Sequence, residues 1–159
     1  MAYGEATIRA AIKTAIEAAT NEGQVHDYER WMDDWAGLLT LFKSTIDGVD
    51  QIRGWTITLE RMGQELIGMQ GGGAADTVLV TYSYRIRGFM SVDDSEATEK
   101  TFVALALSLC EQLEAAAGLT GAVLEREEPV VAECRIDYAM LAGVLCHRAE
   151  IMINPQEVV

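Results

Sequence analysis

The segment that predicts the fold most clearly is the alternating run TVLVTYSYRIRGF at residues 77–89. Apolar and aromatic side chains occupy every second position from Val78 to Ile86, and polar side chains such as Arg85 and Arg87 stand between them. Because side chains along a strand point alternately to its two faces, this run predicts a long strand with one buried face.

A second alternating run lies at residues 52–61 and carries Trp55 on its apolar side. The glycine-rich stretch GMQGGGAAD at residues 68–76 separates the two runs. Such a composition predicts a hairpin with a flexible tip. A phosphate-binding loop is not expected, because the stretch has no lysine and joins two strands. The consecutive glycines are Gly71, Gly72 and Gly73.

The rest of the chain adds three helices and two more strands, in the order α-α-β-β-α-β-β. Neighbouring strands follow one another without helical crossovers, which favours an antiparallel sheet. We therefore expect an α+β fold in a single domain of residues 1–159, with about four strands and the helices packed on one face. The predicted helices cover residues 5–21, 33–44 and about 93–117, and the additional strands cover 130–140 and 143–154.

The net charge of −13 and the pI near 4.4 limit the classes of partner. Phosphate binding needs clustered lysine and arginine, so a protein that wraps nucleic acid or docks on an anionic membrane is not expected. An acidic wall would repel phosphates and would suit a protein past which DNA slides.

The cysteines and histidines do not form a pattern typical of a catalytic or metal site. The chain has an odd number of cysteines, and none of them lies in a C-x-x-C pair: Cys110, Cys134 and Cys146. This predicts that the protein has no disulfide framework and is made in the cytoplasm. Neither His26 nor His147 lies in a metal-ligand motif. We expect no enzyme activity, no metal and no cofactor. The alternative is a site whose residues converge only in three dimensions.

The segment HDYERWMDDW at residues 26–35 concentrates aromatic and charged side chains. Trp35 has the helical spacing of a core residue and is expected to be buried. Tyr28, Arg30 and Trp31 precede the helix, and tryptophan, tyrosine and arginine carry much of the binding energy of protein interfaces. They are therefore candidate interface residues, with a place in the core as the alternative for Trp31.

Four arginines are expected on outward strand faces of this acidic chain. One interpretation is edge protection and solubility. The other is pairing with acidic residues of a neighbouring copy, which would help identical subunits close into a ring. The four are Arg53, Arg85, Arg87 and Arg135.

Taken in order, these elements resemble the tail terminator proteins of long-tailed bacteriophages, also called tail-tube completion proteins. The similarity is spread over most of the chain and rests on no single diagnostic motif. It is carried by TIRAAI (7–12), VHDYERW (25–31), RGWTI (53–57), YRIRGF (84–89), the helix after DDS (93–95) and HRAEI (147–151).

The resemblance implies a virion protein of the tail neck, assembled in the host cytoplasm. It implies a six-membered ring that caps the head-proximal end of the tail tube, stops its growth and offers a docking surface to a head-completion or connector protein. DNA would pass through the ring without specific binding. The alternatives are another head–tail connector or tail-tube component, an adaptor unrelated to phage, or a small enzyme or ligand-binding domain.

Overall fold

The computed structural model describes residues 4–68, 77–116, 119 and 129–159. Within this part of the chain, three helices accompany a seven-stranded sheet. The helices are α1 (Glu5–Glu17), α2 (Trp35–Phe42) and α3 (Thr98–Ala115). The strands are β1 (Gln24–His26), β2 (Lys43–Ile46), β3 (Val49–Gly68), β4 (Thr77–Ser91), β5 (Val131–Leu141), β6 (Val144–Ile153) and β7 (Gln156–Val158).

The sheet is built around the long antiparallel pair β3 and β4, whose pairing extends from Arg53 opposite Met90 to Gly68 opposite Thr77. Its strand order is β1-β3-β4-β6-β5, with β2 added to β3 and β7 added to β4. β1 pairs with β3 in parallel, and the other pairs are antiparallel. β5 therefore lies at one edge of the sheet.

Two tight turns connect neighbouring strands and fix their register. Asp47 and Gly48 lie between β2 and β3 with φ of 52° and 79°, and Ala142 and Gly143 lie between β5 and β6 with φ of 47° and 84°. Positive φ at both central residues is the requirement of the two-residue hairpin turn whose twist matches that of the strands. Glycine adopts this conformation without the steric cost that a Cβ would add.

The main core lies between one face of the sheet and the helices α1 and α3. Trp55, Tyr82 and Tyr84 on the strands are fully buried there. Phe102 of α3 stacks on Trp55 with 6.0 Å between ring centroids. The alternation from Val78 to Ile86 therefore predicted the buried face of β4 correctly, because period-two patterning is a local property of a half-covered strand.

A second, smaller apolar cluster forms on the opposite face of the sheet. Phe42 of α2 packs there with Leu141 and Cys146, and Phe89 packs against them. Because Phe89 follows the core-facing positions of β4 by an odd step, it points away from α1 and α3. The expectation that all helices pack on one face is therefore wrong, since α2 covers the other face.

The α+β class is confirmed, but the prediction of about four strands in the order α-α-β-β-α-β-β is only partly right. Three of the four long strands and the three helices lie close to the predicted ranges, whereas β3 continues to Gly68, beyond the predicted end at residue 61. The additional strands β1, β2 and β7 have three or four residues each. Such short segments carry too little periodicity to be recognised, and only their pairing with β3 or β4 makes them strands.

Candidate interaction surface

The segment 26–35 is held firmly against the sheet although much of it lacks regular structure. Arg9 of α1 donates a hydrogen bond from Nη1 to the carbonyl oxygen of Asp27 at 2.7 Å. The carboxylate of Glu29 accepts one from Nη1 of Arg87 on β4 at 3.3 Å. At the end of the segment, Asp34 caps α2, with 2.7 Å from its Oδ1 to the amide nitrogen of Gly37.

The large side chains of this anchored segment point into solvent. Trp31 is 73% exposed and Trp35 is 71% exposed, and Tyr28 and Met32 are also exposed. Arg30 places its guanidinium carbon 5.2 Å from the centroid of the Tyr28 ring, which is a cation–π geometry. We call these five residues, Tyr28, Arg30, Trp31, Met32 and Trp35, the aromatic surface.

The prediction that Trp35 is a core residue is wrong. α2 has only eight residues and is anchored in the second apolar cluster by Phe42 at its other end. Trp35 begins the helix and covers the turn between β5 and β6, where a Cβ placed on Gly143 would lie 3.4 Å from the indole. One face of Trp35 therefore contacts that turn, while most of its area remains available to a partner.

A small cavity of about 70 Å³ lies under the aromatic surface. It is bounded by Trp31 and Arg30 on the outside and by Phe89 and Leu141 of the sheet on the inside. The site therefore combines exposed indoles with an apolar recess too small for a drug-sized molecule. Such an arrangement suits an apolar side chain of a protein partner better than a free ligand.

Arg53 does not lie on an outward face, so the expectation of an outward position is wrong. It shares the core face of β3 with Trp55 and is only 6% exposed. Its Nη1 donates to the carbonyl oxygen of Asn21 at 3.0 Å and its Nη2 donates to Oε1 of Gln51 at 2.9 Å. Burial lowers the pKa of this guanidinium, with the charge of Asp47 acting in the opposite direction.

The other predicted arginines do lie outside the main core. Arg85 pairs with Glu60 at 2.6 Å, and Arg87 pairs with Glu29 at 3.3 Å. These ion pairs lie within one chain, so they stabilise the packing of neighbouring segments and leave less charge for another copy. Arg135 is exposed on the edge strand β5. Gly71, Gly72 and Gly73, with nearly all of the predicted flexible loop 68–76, lie outside the described residues.

Sequence patterning did not identify two further groups of exposed apolar side chains. Tyr138, Met140 and Leu145 line the end of the β5–β6 hairpin, and Met62, Leu66 and Ile67 lie on residues 60–68 of β3. We call the second group the β3 edge group. The alternating pattern predicts that such residues face inward. They become buried only where a helix packs over them, and the length of sheet that a helix covers cannot be predicted from the neighbouring residues.

Both histidines have structural partners. His26 contacts the carbonyl oxygen of Leu41 through Nε2 at 2.7 Å. His147 is 2% exposed, stacks on Phe102 and contacts Oγ1 of Thr98 at 2.9 Å. Burial lowers the pKa of His147, and the charge of Glu99 raises it by less. In the part of the chain that the structure describes, no three histidine, cysteine or acidic side chains converge as a metal site would require.

A polar cleft of about 580 Å³ lies at the end of the sheet beside the start of α3. Arg53, Asp50, Asp93 and Glu96 are among its lining residues. Its lining also includes Met90 and Val49, so the cleft mixes acidic, basic and apolar groups. Its volume lies in the range of small-molecule sites, so the cleft is a candidate for one.

No family model matches the sequence, and a search of curated proteins also finds no match. Among the described residues, no helix is both long enough and apolar enough to cross a membrane.

Proposed function

We propose that this protein is a tail terminator of a long-tailed bacteriophage. In this proposal, copies of the chain form a ring of six that caps the head-proximal end of the tail tube. The observation that carries the proposal is the aromatic surface, in which two exposed indoles are presented on an anchored segment. A surface of this kind is typical of a protein whose work is to bind another protein.

The exposed area of the indoles sets the scale of the binding energy. A tryptophan side chain can bury about 150–250 Å², and Trp31 and Trp35 keep roughly seven-tenths of theirs in water. At about 25 cal/mol per Å², covering each indole would stabilise a complex by roughly 3 kcal/mol before the costs of association. Two such residues are enough to make this surface the centre of an interface.

A ring needs two different surfaces on every subunit, because each copy contacts one neighbour on each side. The β3 edge group supplies a second apolar surface. Its members lie between six and eleven residues along the strand from Thr56, which lies under the aromatic surface, or roughly 20–35 Å away. Two apolar surfaces so far apart favour contacts between unlike patches, as in a ring or a stack.

The proposed mechanism is termination by an unmatched face. One face of the ring would imitate the stacking surface of a tail-tube subunit, and the opposite face would offer no further site to the tube protein. The opposite face would instead receive a head-completion or connector protein. The net charge of −13 would keep DNA from adhering as it passes through the ring.

The first test measures the mass of the assembly in solution, alone and with tail tubes. A species of about six times the 17.4 kDa of one chain supports the proposal. Trp31→Ala should weaken assembly at least tenfold while leaving the melting temperature within about 2 °C. Leu107→Ala is the matched control, because Leu107 is an exposed apolar residue of α3 outside the aromatic surface.

The second test examines tail length directly. Tails assembled without this protein should be overgrown or unable to join heads in electron micrographs, and adding the wild-type protein should restore their length. If tails keep a uniform length in its absence, the terminator proposal is wrong, and another connector or tube component becomes the better interpretation. A stable monomer that binds a small molecule in the polar cleft would instead favour a ligand-binding domain.

A further inference from the structure

The strand β5 forms one edge of the sheet, and among the described residues no strand pairs with its outer side. On its inner side it pairs with β6, from Leu141 opposite Val144 to Val131 opposite Ile153. It is 11 residues long and contains no proline. A long edge strand of this kind presents a row of N–H and C=O groups with which another strand can pair.

A hydrogen bond beside the β5–β6 turn shows which backbone groups of β5 face outward. The carbonyl oxygen of Leu145 accepts from the amide of Val92, just after β4, at 3.2 Å. Its neighbour Val144 therefore faces the other way and bonds to Leu141 on β5. Counting back from Leu141, every second residue of β5 bonds to β6 in the same way, as far as Glu133. The residues between them have outward-facing N–H and C=O groups: Cys134, Ile136, Tyr138 and Met140.

Two charged side chains lie beside these outward-facing groups. Asp137 accepts two hydrogen bonds from Arg148 of β6, from Nε at 2.7 Å and from Nη2 at 2.5 Å, and these bonds hold its carboxylate in place. Arg135 is exposed, and no ion pair of its guanidinium occurs among the described residues. The edge therefore carries a fixed carboxylate two residues away from a guanidinium that can still form an ion pair.

We propose that β5 pairs with β5 of a second copy of this chain, antiparallel about a two-fold axis at Ile136. The backbone groups of Ile136 face outward, so this residue exchanges hydrogen bonds with its own counterpart. Arg135 of each copy lies opposite Asp137 of the other, and Cys134 lies opposite Tyr138. The two sheets join into one, held by about six hydrogen bonds between the two strands.

The charges select this register over its neighbours. Outward-facing residues must lie opposite each other, so the register can change only in steps of two residues. One such step places Arg135 opposite itself, and the step in the other direction places Asp137 opposite itself, which like charges oppose. A second step toward the start of β5 brings in the irregular pairing between Val131 and Glu133, which interrupts the ladder. The register centred on Ile136 pairs opposite charges within the regular part of the strand.

The same contact covers apolar side chains that are exposed in the single chain. Tyr138 is 57% exposed and Met140 is 63% exposed. Both lie on the same face of β5 as Ile136, because alternate residues of a strand share a face. The second copy of β5 would extend this face beside them and place Cys134 of one copy against Tyr138 of the other.

This two-fold contact is separate from the proposed ring. A two-fold axis joins identical patches, whereas each subunit of a ring of six joins two different patches. The β5 pair is therefore a state of the free chain, and the inference does not depend on the proposed function. Trp31→Ala should leave the dimer intact, because the aromatic surface has no part in this contact.

The first test measures the dimer by sedimentation equilibrium. The wild-type protein should reach twice the 17.4 kDa of one chain in a concentration-dependent way. Arg135→Glu should raise the dissociation constant at least tenfold, as a rough estimate, because two attractive charge pairs become repulsive. Arg61→Glu is the matched control, because Arg61 is an exposed arginine of β3, away from β5, and its replacement changes the net charge equally.

The second test mixes two variants to check the register. Asp137→Lys should also dissociate the dimer, because the new lysine would lie opposite Arg135 of the other copy. Each variant alone should be mainly monomeric. An equal mixture of Arg135→Glu and Asp137→Lys should dimerise again, because every facing charge pair between the two variants is attractive.

Amide exchange in the wild-type protein gives a readout that needs no variant, and it decides the matter if Asp137→Lys does not fold. The amides of Ile136 and Tyr138 should be protected in concentrated solution and exchange on dilution, whereas the amide of Arg135 should be protected in both. The inference is overturned if the wild-type protein stays monomeric or if Arg135→Glu weakens the dimer no more than Arg61→Glu does. A mixture of folded variants that fails to dimerise would overturn it as well.

Discussion

The indole of Trp55 lies directly against Gly88, its cross-strand partner, so closely that a Cβ on Gly88 would meet a ring carbon at 2.2 Å. The position is central to the main core, because Phe102 stacks on the same indole. A single methyl group at residue 88 would therefore have to displace a fully buried aromatic stack.

We expect Gly88→Ala to lower the free energy of unfolding by about 1–3 kcal/mol, the usual cost of overpacking a core. Urea denaturation would measure the loss. Gly63→Ala on β3 is the matched control, because a Cβ there meets nothing within 4 Å. The free energy of unfolding of this control should stay within about 0.5 kcal/mol of the wild-type value. Equal effects of the two substitutions would contradict the packing at Trp55.

Arg53 should matter for folding, although an outward position and an interface role were predicted for it. Arg53→Met would remove a buried guanidinium and leave the carbonyl oxygen of Asn21 and Oε1 of Gln51 without their donors. We expect a loss of about 1–3 kcal/mol in stability. Arg135→Met, at an exposed position on β5, should change stability by less than about 0.5 kcal/mol. If Arg135→Met lowered the melting temperature more than Arg53→Met does, the burial of Arg53 would be contradicted.

His147 should make the protein less stable in mild acid. Its pKa in the folded chain is lowered from 6.5 by burial, so the unfolded chain takes up the proton first as the pH falls. The contribution of neutral His147 is complete above about pH 6.5 and decreases below it, by at most about 1.4 kcal/mol per pH unit. Urea denaturation at pH 7.5 and 5.5 would measure it.

His147→Gln is the control for this pH dependence. The variant should be less stable at pH 7.5 because it loses the stacking on Phe102, but its stability should fall less between pH 7.5 and 5.5. Identical pH profiles for the variant and the wild type would assign the acid sensitivity to other groups.

Self-association should become stronger as salt is added. Each copy carries a net charge of −13, and several described arginines are already paired within the chain, as Arg85 is with Glu60. Repulsion between copies therefore opposes contact through the aromatic surface, and salt shortens its range from about 30 Å at 0.01 M to about 8 Å at 0.15 M. Sedimentation at low and moderate salt would measure the change. Weaker association at higher salt would indicate an interface dominated by ion pairs.

The sequence predicted what depends on local pattern and missed what depends on distant partners. Alternation around Tyr82 and Tyr84 identified the buried face of β4, because strand geometry imposes that pattern on any half-covered sheet. The burial of Arg53 depends on Asn21, more than thirty positions away. The exposure of Trp35 depends on how far α2 extends over the sheet. Neither the burial of Arg53 nor the exposure of Trp35 can be predicted from the residues next to it in the sequence.

For the candidate interaction surface, the sequence identified the segment but not all of the residues that form the surface. Tyr28 and Trp31 are exposed as a surface role requires, and Trp35 joins them, whereas Arg30 is half-buried.

The placement of the three tryptophans gives the molecule two optical reporters. Trp55 is enclosed by the core and should respond only to unfolding, whereas Trp31 and Trp35 are in water in the free chain. Burying either of them against a partner would move fluorescence emission to shorter wavelength without any change in the fold. Association and denaturation can thus be followed separately in unlabelled wild-type protein, by the direction in which its emission spectrum moves.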